Sequence, residues 1–214
     1  MLKVARFEFS LFGINTYVVY DDKTRDCAII DPGMINDEER DALRRFIERE
    51  KFHPVHLINT HLHIDHSIGN EFVERTWGLK TEAHRDDASL GSGIGQQARM
   101  FGLPFDVKGI ELTSYLEDGD EIKIGSGVLR ALHVPGHSPG SIVLYAPAED
   151  FLIAGDVIFC GSIGRTDLPG GSYEQLIGGI HTKLVPLPPA TKIYPGHGPE
   201  TTLRRELESN PYLR

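Results

Sequence analysis

The chain has 214 residues, 40% of them hydrophobic and 25% charged, a globular composition that excludes a fibrous, low-complexity or disordered protein. Its formal net charge of -9 repels phosphate backbones and anionic lipid, so no nucleic acid or membrane partner is expected and a small soluble substrate is. Two cysteines, Cys27 and Cys160, are too few for a disulfide framework, and no run approaches about 18 apolar residues or a signal peptide, which together predict a cytoplasmic protein.

The first third reads as strands and then a helix. Leu2, Val4, Phe7 and Phe9 roughly alternate, INTYVVY and CAII follow, and Asp31-Pro32-Gly33 stops the third strand. From about Asn36 to Glu50, Leu43, Phe46 and Ile47 recur at helical spacing among charges. Val55 to Asn59 reads as a short apolar strand entering THLHIDH, after which Ile68, Phe72 and Val73 mark the buried stripe of a helix beginning near Ser67. The glycines of SLGSGIGQQ predict a mobile rim loop.

The second half reads as strands SYLEDGDEIKI, VLRALHV, SIVLYAP and FLIAGD, with turns at Asp118-Gly119, Pro135-Gly136 and Ala148-Glu149. A helix near Tyr173 to Lys183 and a last strand, KIYP, complete it. Each half supplies a sheet with helices, and each sheet must bury a face. The layer rule therefore predicts one domain over residues 1–214, of two mixed β-sheets packed together with helices outside.

Seven residues of ligand type sit in turns that follow apolar runs: His61, His63, Asp65 and His66 in THLHIDH, His137 in PGHSPG, Asp156 in IAGD and His197 in PGHG. Imidazole and carboxylate suit borderline divalent metals, and this Cys-free set spread over four turns predicts an open catalytic centre for two ions, where a structural zinc site would be closed and rich in Cys. The i, i+2 spacing predicts His61, His63 and Asp65 on one side of an extended segment, with His66 reaching a neighbouring point. Asp65 and Asp156 are the candidate catalytic carboxylates, and Asp156, with two oxygens, is the natural bridge between cations. His133 lies inside a strand and is expected to pack or face solvent. Asp31 is a candidate for orienting a ligating imidazole.

THLHIDHSIGN, VPGHSPGS, IAGDVIF and YPGHGPET together resemble the metallo-β-lactamase superfamily, most nearly its short bacterial glyoxalase II-like (hydroxyacylglutathione hydrolase-like) members, over nearly the whole chain. The resemblance implies an α/β fold of the αββα sandwich type. It implies one metal held by His61, His63 and His137, another by Asp65, His66 and His197, and Asp156 between them. Zinc is the usual metal, with iron or manganese also used. The activity implied is attack of a metal-bound hydroxide on a small acyl thioester such as S-lactoylglutathione, by a monomer or homodimer, with Arg165 and Tyr173 lining the pocket. Arg165-Thr166-Asp167 also resembles persulfide dioxygenases, in which one iron is held by the equivalents of His61, His137 and Asp156. That alternative and a lactonase or other ester hydrolase stay open, since the same chemistry serves any activated acyl carbon.

Overall fold

The computed structural model describes residues 1–9, 11–104 and 107–214. The chain opens with β1 (Leu2–Phe9), β2 (Ile14–Asp21) and β3 (Asp26–Ile30), then α1 (Asp37–Glu50) and β4 (His53–Ile58). After the first His cluster come α2 (Ile64–Ser67), α3 (Asn70–Trp77), β5 (Thr81–Ala83), a 3-10 turn at Arg85–Asp87, α4 (Ala88–Ser92), α5 (Ile94–Met100) and β6 (Ser114–Tyr115). These strands form a six-stranded sheet in the order β1-β2-β3-β4-β5-β6, antiparallel as far as β3 and parallel beyond it.

The second sheet uses β7 (Glu121–Ile124), β8 (Gly127–His133), β9 (Ile142–Ala146) and β10 (Phe151–Gly155). A small hairpin, β11 (Ile158–Phe159) and β12 (Ser162–Ile163), and α6 (Tyr173–Gly179) precede β13 (Lys192–Pro195), β14 (Thr201–Thr202) and α7 (Leu203–Ser209). Its order is β14-β13-β10-β9-β8-β7, with β10 and β13 parallel.

The pleat sends successive side chains to opposite faces, and in both sheets both faces are covered, so central strands read as continuous apolar runs. Tyr17, Val19, Ala28 and Ile30 meet Leu129, Ala131, Leu144 and Ile153 between the sheets. On the far face of the first sheet Val18, Ile29 and Leu57 pack on Leu43 and Ile47 of α1 and Val73 of α3. On the far face of the second, Val143, Leu152 and Ile193 pack on Leu176 of α6 and Leu203 of α7. This is the αββα layering, and each fully buried Leu or Ile contributes about 1.5–3 kcal/mol to it. Asn36 caps α1 by accepting from the Glu39 amide at 2.9 Å, and three acidic residues complement its first turn. No helix among the described residues is long and apolar enough to cross a membrane.

Three local expectations are corrected. The helix expected from near Ser67 is α3, which starts at Asn70, and a separate helical turn, α2, precedes it from Ile64, so His63 is the N-cap of α2 and Asp65 and His66 lie within it. That turn rotates Asp65 away from His61 and His63, and the three do not share one side of an extended segment. The stretch SLGSGIGQQ is not a loop but most of α4 and α5, because Gly91 packs against Leu62 and Ile110 while the Gln97 side chain reaches into the His cluster. Finally, SYLEDGDEIKI is divided: β6 pairs with β5 in the first sheet and β7 with β8 in the second, and the turn at Asp118-Gly119 carries the chain between them.

Candidate metal centre

All seven ligand-type residues leave the same end of the sandwich. His61 to His66 follow β4, His137 follows β8, Asp156 follows β10 and His197 follows β13. Backbone hydrogen bonds stitch the two sheets together there: the Ile142 amide donates to Thr60 O at 2.8 Å and the Asn15 amide to Gly196 O at 2.7 Å. The first sheet thus delivers four donors and the second three into one volume.

One group of three joins His61, His63 and His137, another joins Asp65, His66 and His197, and a third overlaps both through His61, His66 and Asp156. His137 Nε2 lies 2.9 Å from His63 Nδ1 and 3.2 Å from His61 Nε2. Two nitrogens on a tetrahedral zinc with bonds of 2.0–2.1 Å are separated by about 3.3 Å, so these spacings suit a shared cation. In the second group His197 Nε2 is 3.2 Å and His66 Nε2 3.8 Å from Asp65 Oδ2. Asp156 faces both groups: Oδ1 is 3.2 Å from His66 Nε2, and Oδ2 is 3.5 Å from His137 Nε2 and 3.7 Å from His197 Nε2.

Hydrogen-bond partners on the outer side fix the tautomers. His66 Nδ1 lies 2.9 Å from Asp31 Oδ2, His137 Nδ1 2.8 Å from Arg165 O and His197 Nδ1 3.2 Å from Gly13 O. Each partner accepts only, so each Nδ1 carries a proton and each Nε2 faces inward, offering a lone pair once that nitrogen is deprotonated. The Thr60 hydroxyl gives its proton to Asp31 at 2.6 Å, so His61 Nδ1 donates to Thr60 Oγ1 and its Nε2 also faces the centre. His63 alone presents Nδ1.

His66 Nε2 and Asp156 Oδ1 are buried and find only each other, 3.2 Å apart. A buried polar atom left unpaired costs about 1–3 kcal/mol, and a cation in place of the proton between these two would keep both satisfied. A Cβ on Gly196 would fall against Asp156 Oδ1 and His66 Cε1, so the chain leaves this space open. The donor set therefore fits two divalent cations.

The electrostatics divide the centre. Burial, reinforced by neighbouring imidazoles, pushes His61 well down and His63 down to about 4. At His66 burial acts in the same direction, but the surrounding carboxylates of Asp156, Asp31 and Asp65 outweigh it and hold the imidazole well above its ordinary value. His197 is raised likewise, its burial outweighed by Asp65 and Asp156. Burial opposes ionisation of Asp65 and Asp156, but the His66 charge overcomes it and both stay in the carboxylate form.

Asp31 is fully buried, in the left-handed region at φ 51, and accepts from the Thr60 amide at 2.7 Å as well as from Thr60 Oγ1 and His66. Arg165 reaches the centre through its carbonyl. Its guanidinium is exposed and paired bidentately with Asp167 at 2.7 and 2.8 Å. Tyr173, at the start of α6, is half exposed. His133 stacks on His84 with ring centroids 3.8 Å apart and planes 13° from parallel. With Asp86 these form a fourth donor group, but parallel rings aim their lone pairs side by side, and His133 Nε2 already donates to Pro139 O at 2.8 Å.

Two supports escape a reading of the sequence. Gln97 accepts from the Ile64 amide at 3.0 Å and donates to Leu62 O at 3.3 Å, and buried Asp87 bonds the loops carrying the histidines. Gln97 gives no signal beyond a polar residue on a helix, and Asp86-Asp87 reads as a charged surface turn.

Paired imidazole and carboxylate clusters that share one carboxylate, at the mouth of an αββα sandwich, define the metallo-hydrolase class of fold and site. The chain belongs to the metallo-beta-lactamase superfamily, whose model matches residues 10–197. It is 38% identical over 209 residues to the probable metallo-hydrolase YqgX of Bacillus subtilis, covering 92% of this chain and 90% of the relative. It is 36% identical over 207 residues to the hydroxyacylglutathione hydrolase GloC of Haemophilus influenzae, covering 94% and 93%. Among solved structures it is similar to the BLEG-1 B3 metallo-beta-lactamase, at 33% identity and a TM-score of 0.88 over 99% of each chain.

Proposed function

We propose that this protein is a two-metal thioester hydrolase acting on a small acyl thioester of the S-lactoylglutathione kind, with His61, His63 and His137 holding one cation, Asp65, His66 and His197 the other, and Asp156 touching both. Zinc suits this N/O donor set, and iron or manganese are the alternatives. The observation that carries the reading is the convergence of two imidazole and carboxylate groups on one buried volume, with Asp156 between them, its Oδ1 3.2 Å from His66 Nε2 and its Oδ2 3.5 Å from His137 Nε2. The 36% identity with a hydroxyacylglutathione hydrolase supports the thioester.

When bound, two divalent cations lower the pKa of water towards 7 and polarise an acyl carbonyl. The chain's own residues do the rest. Outward Nδ1–H bonds to Asp31, Thr60, Arg165 and Gly13 lock four imidazoles in place, so little reorganisation is needed during reaction. Asp65, about one-fifth exposed and in the carboxylate form, would hold the second cation and would be the nearest side chain to take up a proton from water. A thiol of pKa about 8.5 leaves as thiolate, so no side chain has to protonate it.

A one-iron persulfide dioxygenase would need only His61, His137 and Asp156 and would leave His63, Asp65, His66 and His197 idle, although all four converge on the same volume. The test is metal analysis of purified protein beside assays on S-lactoylglutathione, other acyl thioesters, a β-lactam and a lactone, with oxygen uptake on glutathione persulfide. Two metals per chain with thioester turnover is expected. Two metals without turnover of any thioester ends the proposal, and one iron with persulfide-dependent oxygen uptake replaces it.

A further inference from the structure

Asp87 is fully buried in the 3-10 turn after β5, far in sequence from every ligand-type residue, yet its carboxylate ties together the two loops that carry the first imidazole group. Oδ2 accepts from the Leu62 amide at 2.9 Å, and Leu62 lies between His61 and His63. The same oxygen accepts from Ser138 Oγ at 2.9 Å, and Oδ1 accepts from the Gly140 amide at 2.6 Å, one and three residues beyond His137. All three partners donate, so the two oxygens act as one clamp across two distant stretches of chain.

The fit depends on glycine. A Cβ at Gly140 would stand 2.7 Å from Asp87 Cγ and 2.8 Å from its Oδ1. Real Cβ atoms do not approach so closely, and the Pro139-Gly140 step of PGHSPG is therefore what admits the carboxylate. Asp31 does the corresponding work beneath the second group, through the Thr60 amide and His66.

We propose that Asp87 is the positioning residue of the His61, His63 and His137 group, setting the spacing of these imidazoles and so the affinity of that cation alone. This rests on the two-metal reading above. Outer partners of metal ligands typically contribute 10–100-fold to affinity. Asp87→Ala should weaken one equivalent by that factor and leave the other unchanged. In Asp87→Asn one oxygen becomes an amide that must face either the Leu62 or the Gly140 N–H, so the loss should be intermediate.

The experiment titrates metal-free protein with zinc or cobalt(II) alone, reading equivalents, dissociation constants and the cobalt absorption bands, with circular dichroism to establish folding. In a His197→Ala background, which retains only the first group, Asp87→Ala should weaken the remaining equivalent by about the same 10–100-fold. In a His63→Ala background it should change nothing further. If Asp87→Ala does not fold, Asp87→Asn and Gly140→Ala, which break the same contact more mildly, give the answer by the same titration.

Two equivalents bound with wild-type affinity by folded Asp87→Ala, even with a lowered Tm, would overturn the assignment, because a merely structural brace shifts stability and not one site's affinity. Equal weakening of both equivalents would overturn it as well. A wild-type chain that binds no metal removes the two-metal reading and this inference with it, a result distinct from either of these.

Discussion

Asp31 Oδ2 accepts the Nδ1 proton of His66 at 2.9 Å, with both side chains sealed from solvent and the Asp31 backbone at a φ of 51. A carboxylate behind an imidazole fixes the tautomer and raises the basicity of the nitrogen facing the metal. Asp31→Asn keeps a residue that tolerates the left-handed backbone and removes the charge. It should fold, and it should lose about 10–100-fold in affinity for the cation of the Asp65, His66 and His197 group, as read by zinc titration of the metal-free protein. Asp31→Ala also strands the Thr60 amide and should cost a further 1–3 kcal/mol or so of stability in denaturant unfolding.

Gly196 lies where a side chain would enter the centre. The added methyl of Gly196→Ala would meet Asp156 Oδ1 and His66 Cε1, so the substitution should reduce bound metal below two per chain. Activity should fall by more than about 100-fold, since the perturbation reaches the shared carboxylate itself and outer-shell losses alone reach that size. Metal analysis beside circular dichroism checks it: a Gly196→Ala protein that keeps two ions and full turnover contradicts the position given to Asp156.

Arg165 separates main-chain from side-chain roles. Its carbonyl orients His137, which any residue at this position can do, while its guanidinium is exposed and engaged by Asp167. Arg165→Ala should therefore leave metal content and kcat unchanged and raise KM for an anionic thioester about fivefold or less, the scale of an exposed ion pair. Steady-state kinetics decide it, and a collapse of kcat would show that the side chain acts on the reacting atoms.

The pH dependence of stability carries a separate signature at His56. Its Nδ1 lies 2.7 Å from Glu82 Oε1 and its Nε2 3.1 Å from Lys123 O, joining the first sheet to β7 of the second. The hydrogen bond to Glu82, opposed by burial, raises its pKa above the ordinary value of 6.5. A raised folded-state pKa means the stabilisation is complete below about pH 6.5 and is lost as pH rises through the folded value. The contribution is about 1 kcal/mol or less for a partly exposed pair. Denaturant midpoints of the wild type minus those of His56→Gln should shrink between pH 6 and pH 8.5, and an unchanged or growing difference would sink the assignment.

Much of this centre is legible in the sequence because its geometry is local: an apolar strand followed at once by ligand-type residues recurs four times, three of them through a Gly or Pro-Gly step, and strands must end where their turns begin. The layers are legible for the same reason, since continuous apolar runs such as INTYVVY and CAII need cover on both faces. What escaped depends on contacts between distant segments. Nothing near Asp87 announces that its neighbours in space are Leu62 and Gly140, and the glycines of SLGSGIGQQ suggest a loop until Leu62 and Ile110 are seen packed on Gly91. The onset of helix at Ile64, inside THLHIDH, decides which group Asp65 joins, and helix boundaries are the least certain part of any sequence reading.

The donors are shared unequally between the two sheets, His61, His63, Asp65 and His66 coming from one and His137, Asp156 and His197 from the other. Neither half of the polypeptide, taken alone, owns a complete set for either cation. The ions would consequently rivet the halves together, and ligation energy would be folding energy. Chelation should then loosen the seam between the sheets before it touches the interior of either, so that deuterium uptake rises first at Asn15 and Ile142, whose amides cross that seam.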